Sequence, residues 1–198
     1  MAKSTLSLWL REVGLSTPQK QRITRARVEG ALRGAAARRN NRIAQVHSLR
    51  VQGKKEVGSI SDRELWLLGI ALYWAEGSKQ RETATSTGVI FSNSDPDMLK
   101  LFMVWLKAQG VPMSDIAFEL YVHADRVSEI NAFKKWWQKK LALSSKDIQS
   151  VYVKRGNVHT NRKNVADLYH GQIRIKVRRS TSLNRRIQGW IEGVATSV

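Results

Sequence analysis

The chain has 198 residues, 42% hydrophobic and 8% aromatic with seven tryptophans, enough to bury a core and too apolar for a disordered polymer. Lys and Arg number 34 against 16 Asp and Glu, a formal charge of +18 that calls for a polyanionic partner. The absence of cysteine excludes disulfides, thiolate zinc sites and cysteine nucleophiles. No apolar run approaches the roughly 18 residues of a membrane span and no signal-peptide pattern stands at the N-terminus, so the expectation is an intracellular, reducing, cytoplasmic and nucleoid-associated protein with no membrane partner.

Charge is uneven along the chain. Residues 1–60 carry 13 basic and 3 acidic side chains, residues 61–130 carry 6 and 10, and residues 131–198 carry 15 and 3. Two basic lobes flank a mildly acidic middle, and local acidity in a basic protein marks a protein interface or a metal site. Near the start, Leu6, Trp9, Leu10 and Val13 share one side of a short amphipathic helix. Residues 30–56 are rich in Ala, Arg and Gly and poor in large apolar side chains, and read either as an exposed helix or as a solvated linker. A boundary near Gly58 divides a basic helical segment, 1–57, from an α+β domain, 58–198.

Ser61 and Glu64 have the spacing of a capping box and open a helix predicted over 62–76. It is apolar on nearly every side, through Leu65, Trp66, Leu67, Leu68, Ile70, Leu72, Tyr73 and Trp74, so it must be enclosed by its own fold, by a partner, or by both. The stretch from Thr87 to Ser92 is β-prone; Asp95 and Pro96 then start a helix that Gly110 stops. Ile116, Phe118, Leu120 and Val122 alternate with Glu119, Tyr121 and His123, the period of a half-buried strand. Residues 127–141 give a helix carrying Ile130, Phe133, Trp136, Trp137 and Leu141. Residues 148–155 and 171–179 read as two strands, candidates for an antiparallel pair.

In the last strand Ile173, Ile175 and Val177 alternate with Arg174, Lys176 and Arg178; in the preceding one Val151 and Val153 alternate with Tyr152 and Lys154. One face packs and the other meets phosphate, as a β-ribbon entering the major groove would. Edge protection alone needs fewer cations than these. Residues 182–195 form the closing helix, with Leu183, Ile187, Trp190, Ile191 and Val194 in its stripe. This order suits an α+β domain with a mostly antiparallel sheet and helices on one face, preceded by the helical basic segment.

Ala71 and Ala75, four apart, form a small-residue seam on which a second backbone could lie. Two such helices crossing at a two-fold axis would bring two Glu76 carboxylates together, where Mg²⁺ could hold them against a phosphodiester. Ala71, Ala75, Glu76 and Gly77 resemble the G, A, D and G of the LAGLIDADG motif of homing endonucleases and their DNA-binding relatives. Residues 89–106, with their Asn-Ser-Asp cap, and residues 173–193 resemble the family's later strands and helices. The resemblance runs from about residue 61 to the end, with one copy of the motif.

That resemblance implies a LAGLIDADG-like fold and a homodimer through Leu68, Ala71, Leu72 and Ala75. It implies Mg²⁺-dependent cleavage of double-stranded DNA by Glu76, with Gly77 at the metal and Lys154 organising the attacking water. DNA contacts are expected from Tyr152, Lys154, Arg155, Arg174, Lys176, Arg178 and Arg179. The sequence departs from the motif in Ala71 for Gly, Trp74 for the first acid and Glu76 for Asp. Residues 3–23 resemble the recognition helix of a helix-turn-helix and the segment after it, which puts Lys3, Ser4, Thr5 and Ser7 at bases or phosphates; the alternative is the plain amphipathic helix above. His47, His123, His159 and His170 show no metal-ligand spacing. Three functions compete: a homing-type endonuclease, a non-cleaving DNA-binding regulator, and a basic RNA-binding structural protein, the last expected to show aromatic stacking platforms.

Overall fold

The structure, a computed structural model, describes residues 3–13, 16–78, 88–155 and 169–197; His159 lies outside them. The chain divides into two units, Met1–Ser59 and Ile60–Val198. The first holds α1 (Lys3–Trp9) and α2 (Thr17–Val57). Ser16 caps α2 in a box with Gln19, whose Oε1 accepts from the Ser16 amide at 2.9 Å. The helix runs unbroken through Gly30, Gly34, Asn40 and Asn41, so residues 30–56 are helix and not linker. The abundant Ala, Arg and Gln outweigh these weak helix formers and Gly53. No residue of α2 is buried. Leu6, Trp9, Leu10 and Val13 are all exposed, so the packing side expected of the first helix finds nothing to pack on among the described residues.

The second unit runs α3 (Asp62–Glu76), β1 (Ile90–Asn93), α4 (Pro96–Ala108), β2 (Ile116–His123), α5 (Ile130–Leu141), β3 (Ile148–Lys154), β4 (Gln172–Val177) and α6 (Thr181–Thr196). The Ser61–Glu64 box forms as its spacing requires: the Glu64 carboxylate accepts from the Ser61 amide at 2.7 Å, and the Glu64 amide donates to Ser61 Oγ at 3.3 Å. The Ser61 hydroxyl, donating to the same carboxylate at 2.7 Å, and then the Ser61 amide hold the Glu64 carboxyl below its usual range. Asp95 caps α4, accepting from Asp97 N at 2.8 Å.

The four strands lie in the order β1-β4-β2-β3. β4 is antiparallel to both β1 and β2, whereas β2 and β3 are parallel, so the sheet is mixed. This corrects the expectation that the last two strands pair with each other, because β2 lies between them. The β2–α5–β3 segment is a crossover, and a strand that returns by way of a helix arrives parallel.

The helices cover one face of the sheet. Phe91, Phe118, Leu120, Val122, Ile173 and Ile175 point into the core, where they meet Phe102, Trp105, Leu106 and Trp137. Phe91 stacks on Phe102 at 4.4 Å between ring centroids and Phe102 on Trp105 at 5.5 Å, so the ring series reaches from the sheet to the α3–α4 contact. There Gly69 admits the indole: a Cβ on Gly69 would stand 2.0 Å from Trp105 Cδ1. Trp105 Nε1 donates to the Trp66 carbonyl at 3.1 Å, which fixes the ring's rotation.

Buried polar groups tie the elements together. The Tyr73 phenol lies 3.0 Å from Asn184 Oδ1 and 3.1 Å from the Ser78 carbonyl, linking α3 to α6. Ser180 Oγ accepts from Val89 N at 2.7 Å and donates to Val177 O at 2.7 Å, closing the end of the sheet.

Because Trp105 is fully buried and held by its N–H, Gly69→Ala is expected to destabilise the fold by about 1–3 kcal/mol, the usual range for overpacking a dense core. Urea titration of the variant measures this. An unchanged midpoint would mean that the indole shifts without cost to stability.

Candidate nucleic-acid interface

The face of the sheet turned away from the helices is built by strand alternation. On β4, Ile173, Ile175 and Val177 are buried, Gln172 and Arg174 are half-buried and Lys176 is exposed. The register sets Arg174 opposite Ser92 on one side and Glu119 on the other, with Gln172 opposite Tyr121. The β2–β3 register then sets Tyr121 beside Tyr152 and His123 beside Lys154. The open face thus carries Arg174, Lys176, Gln172, Tyr121, Tyr152, Lys154 and one acid, Glu119.

Arg174 is strongly engaged. Its Nε lies 3.2 Å from Ser92 Oγ, its Nη1 donates to the Tyr121 hydroxyl and stands 3.6 Å from Glu119 Oε2, and its guanidinium carbon sits 4.2 Å from the centre of the Tyr121 ring. Tyr121 donates to Glu119 Oε2 at 3.0 Å. Lys154 Nζ donates to Gln172 Oε1 at 2.9 Å and lies 5.5 Å from the Tyr121 ring centre. Two cations therefore converge on one phenol, and Tyr121 in turn stacks on Tyr152, with centroids 4.9 Å apart and planes 18° apart.

Lys176 and Arg155 are exposed and unpaired among the described residues. Arg178 and Arg179 lie in the turn after β4, where Arg178 Nη2 donates to Gln149 Oε1 at 3.0 Å and Arg179 Nη2 pairs with Asp115 at 3.0 Å. Val151 is half-buried and Val153 exposed, so the core-side row of β3 is only partly covered at this sheet edge. Lys3, Thr5 and Ser7 are exposed on α1, which also holds Ser4, in the other unit.

The motif-like residues sit elsewhere. α3 buries Gly69, Ile70 and Tyr73 and exposes Leu67, Leu68, Ala71, Trp74 and Ala75, while Leu72 is half-buried. At 3.6 residues per turn those five exposed positions span an arc of about 120°. Glu76 is exposed at the last helical position, about 100° round the axis from Ala75. Gly77 follows and bridges to Phe91 of β1. Lys154 is on β3, at the other edge of the sheet. Gly77 bridges to β1 on the side away from β4, so four strand spacings place Lys154 about 19 Å away before any offset along the strands. One chain does not bring Lys154 to Glu76. Among the described residues no three His, Cys, Asp or Glu side chains gather as a metal cluster.

Two histidines have structural surroundings: His170 stacks on Trp136 at 3.9 Å, and His123 packs its ring 5.6 Å from Tyr169 with its buried Nδ1 unpartnered among the described residues, whereas His47 is exposed on α2. Sequence reasoning missed the Arg174–Tyr121–Glu119 cluster. Period two marked each as turned away from the core, but only the strand order makes them neighbours. No helix among the described residues is long and apolar enough to cross a membrane. Comparison with protein-family models, with curated proteins and with solved structures returns no match.

Burial, followed by its hydrogen bond to Glu119, pushes the Tyr121 phenol up to about 12, and burial likewise raises Tyr73 and Tyr169. The folded chain holds these protons more tightly than the unfolded chain, whose tyrosines titrate near 10. The associated stability is complete below about pH 10 and is lost as pH climbs toward 12. Chemical denaturation across this range should show falling stability, with a shallower fall in Tyr121→Phe. An identical fall in that variant would remove Tyr121 from the account.

Proposed function

We propose that the chain binds duplex DNA as a homodimer paired through α3, and that the two Glu76 carboxylates hold Mg²⁺ for phosphodiester cleavage. The observation that carries this reading is the uncovered arc of α3. Leu67, Leu68, Ala71, Trp74 and Ala75 are apolar and exposed on a helix whose opposite side is sealed in the core. A lone surface leucine needs no explanation, but five apolar positions in one arc do. Ala71 and Ala75 within it offer the flat seam that a twin helix needs, and a two-fold axis makes the patch self-complementary.

The net charge of +18 and the exposed Lys176, Arg155, Arg178 and Arg179 favour a phosphate backbone as the ligand. Mg²⁺ is commonly held by one or two carboxylates and several waters, so one exposed glutamate from each subunit fits the ion. A cation would also relieve the unfavourable placement of an anion at a helix C-terminus. Bound there, the metal supplies Lewis-acid stabilisation of the phosphoryl oxygens. The chain's own residues position the DNA. A second reading, a regulator that binds without cleaving, is favoured by Lys154, which the sheet separates from Glu76 and which is engaged with Gln172. The resemblance to LAGLIDADG proteins accommodates both.

Ala71 is already exposed, so Ala71→Glu should leave the monomer's fold intact and abolish pairing, as read by sedimentation at micromolar concentration. A wild-type protein that is monomeric both alone and on DNA would sink the paired-helix reading. Glu76→Gln should preserve dimerisation and DNA binding while removing Mg²⁺-dependent cutting; a wild type that binds but never cuts decides for the regulator. DNA affinity should fall steeply with salt, and replacing Lys176 and Arg178 by Ala should flatten the log–log slope by about 0.9 for each phosphate no longer neutralised. An unchanged slope would move the contact surface off β4.

A further inference from the structure

We infer that the rim of the open sheet face at Tyr152 is a stacking site for one unpaired nucleobase in DNA. The inference rests on the DNA-binding reading above and adds a ligand that an intact duplex does not present. Arg174, Tyr121 and Tyr152 stand in series across β4, β2 and β3. The guanidinium is 4.2 Å from the Tyr121 ring centre, and the two rings are 4.9 Å apart and nearly parallel. One face of Tyr121 is therefore taken by Arg174 and the other by Tyr152. Tyr152 has one face on Tyr121 and is 45% exposed, and β3 is the sheet's edge strand. Among the described residues no second ring stacks on it. Among the described residues the ladder is filled at its inner end and carries no further rung at its outer one.

A cross-strand tyrosine pair alone would stabilise the β2–β3 pairing. It would not require the inner ring to be so firmly fixed. Tyr121 is held through its hydroxyl by Arg174 and Glu119 and through its ring by Arg174, with Lys154 Nζ a further 5.5 Å from its centre. A platform held in place loses little entropy when a planar ligand adds the next rung.

Charge selects the ligand. Lys154, two residues on along the same side of β3, and the exposed Arg155 after it suit the phosphates on either side of a base. A base inside a duplex has both faces covered by its neighbours, so only an unpaired one can stack on Tyr152.

The test uses the full chain and four probes of one sequence: the intact DNA duplex, the DNA duplex with a single bulged 2-aminopurine, the DNA single strand, and an RNA duplex with the same bulge. Base–aromatic stacking predicts that the wild type binds the bulged duplex about 5- to 100-fold more tightly than the intact one and quenches the 2-aminopurine emission. Relative to its own affinity for the intact duplex, Tyr152→Ala should lose both the preference and the quenching, and Tyr152→Phe should keep both. Equal binding of bulged and intact duplex by the wild type, or a preference that survives Tyr152→Ala, overturns the inference and leaves duplex binding standing. Loss of the preference in Tyr152→Phe would assign it to the hydroxyl and overturn stacking. A preference seen only for an RNA of the same sequence overturns the assignment to DNA. Failure to bind any probe overturns the DNA-binding reading itself.

Discussion

The second unit depends on the seating of Trp105 against Gly69. An indole lies where any other residue would place a side chain, so α3 and α4 approach more closely than two ordinary helices could. From that contact the ring series through Phe102 and Phe91 reaches the sheet, and Trp190 of α6 closes on the same indole at 6.3 Å. Three helices and the edge strand β1 therefore share one packing centre. Close packing of this kind fixes which side of α3 is inside, and so which side is left for a partner. The outward arc of Leu67, Leu68, Ala71, Trp74 and Ala75 follows from the burial of Gly69, Ile70 and Tyr73.

Local chemistry was legible in the sequence where it acts over a few residues. The Ser61–Glu64 box, the Asp95 cap and the alternation of Ile173, Ile175 and Val177 each depend on neighbours within one turn or one strand, and each appears where the spacing requires. The order of the strands was not legible, because it depends on how far α5 carries the chain between β2 and β3. With β2 inserted beside β4, the sheet becomes mixed. The same long-range fact hid the candidate site: Tyr121 and Tyr152 are 31 positions apart, on two strands whose period-two patterns say nothing about which strands adjoin. The helical continuity of residues 30–56 was left open by composition for a different reason. Weak and strong helix formers are mixed there, and no apolar periodicity arbitrates between them.

The open face also qualifies a simple count of cations. Arg174 is the basic residue that strand alternation marks most clearly, yet it lies against Glu119 and beneath the Tyr121 hydroxyl. Part of its charge is neutralised within the face. Lys176, at the same alternation and two residues further on, has no such commitment among the described residues. Identical patterning thus yields one cation that orders the surface and another that is available to a ligand, a distinction set by what stands on the neighbouring strands.

The helix α2 behaves under different physics from everything after it. It extends for 41 residues with eleven basic side chains against two acidic ones, and it buries none of them. A helix that buries none of its residues draws little stability from packing and is governed by the helix–coil equilibrium, in which ends fray and content declines gradually with temperature. The second unit, with a shared core, loses its structure in a single cooperative step. A circular-dichroism melt of the whole chain therefore superposes a broad slope on a sharp transition, and an enthalpy fitted as if one event had occurred would belong to neither unit.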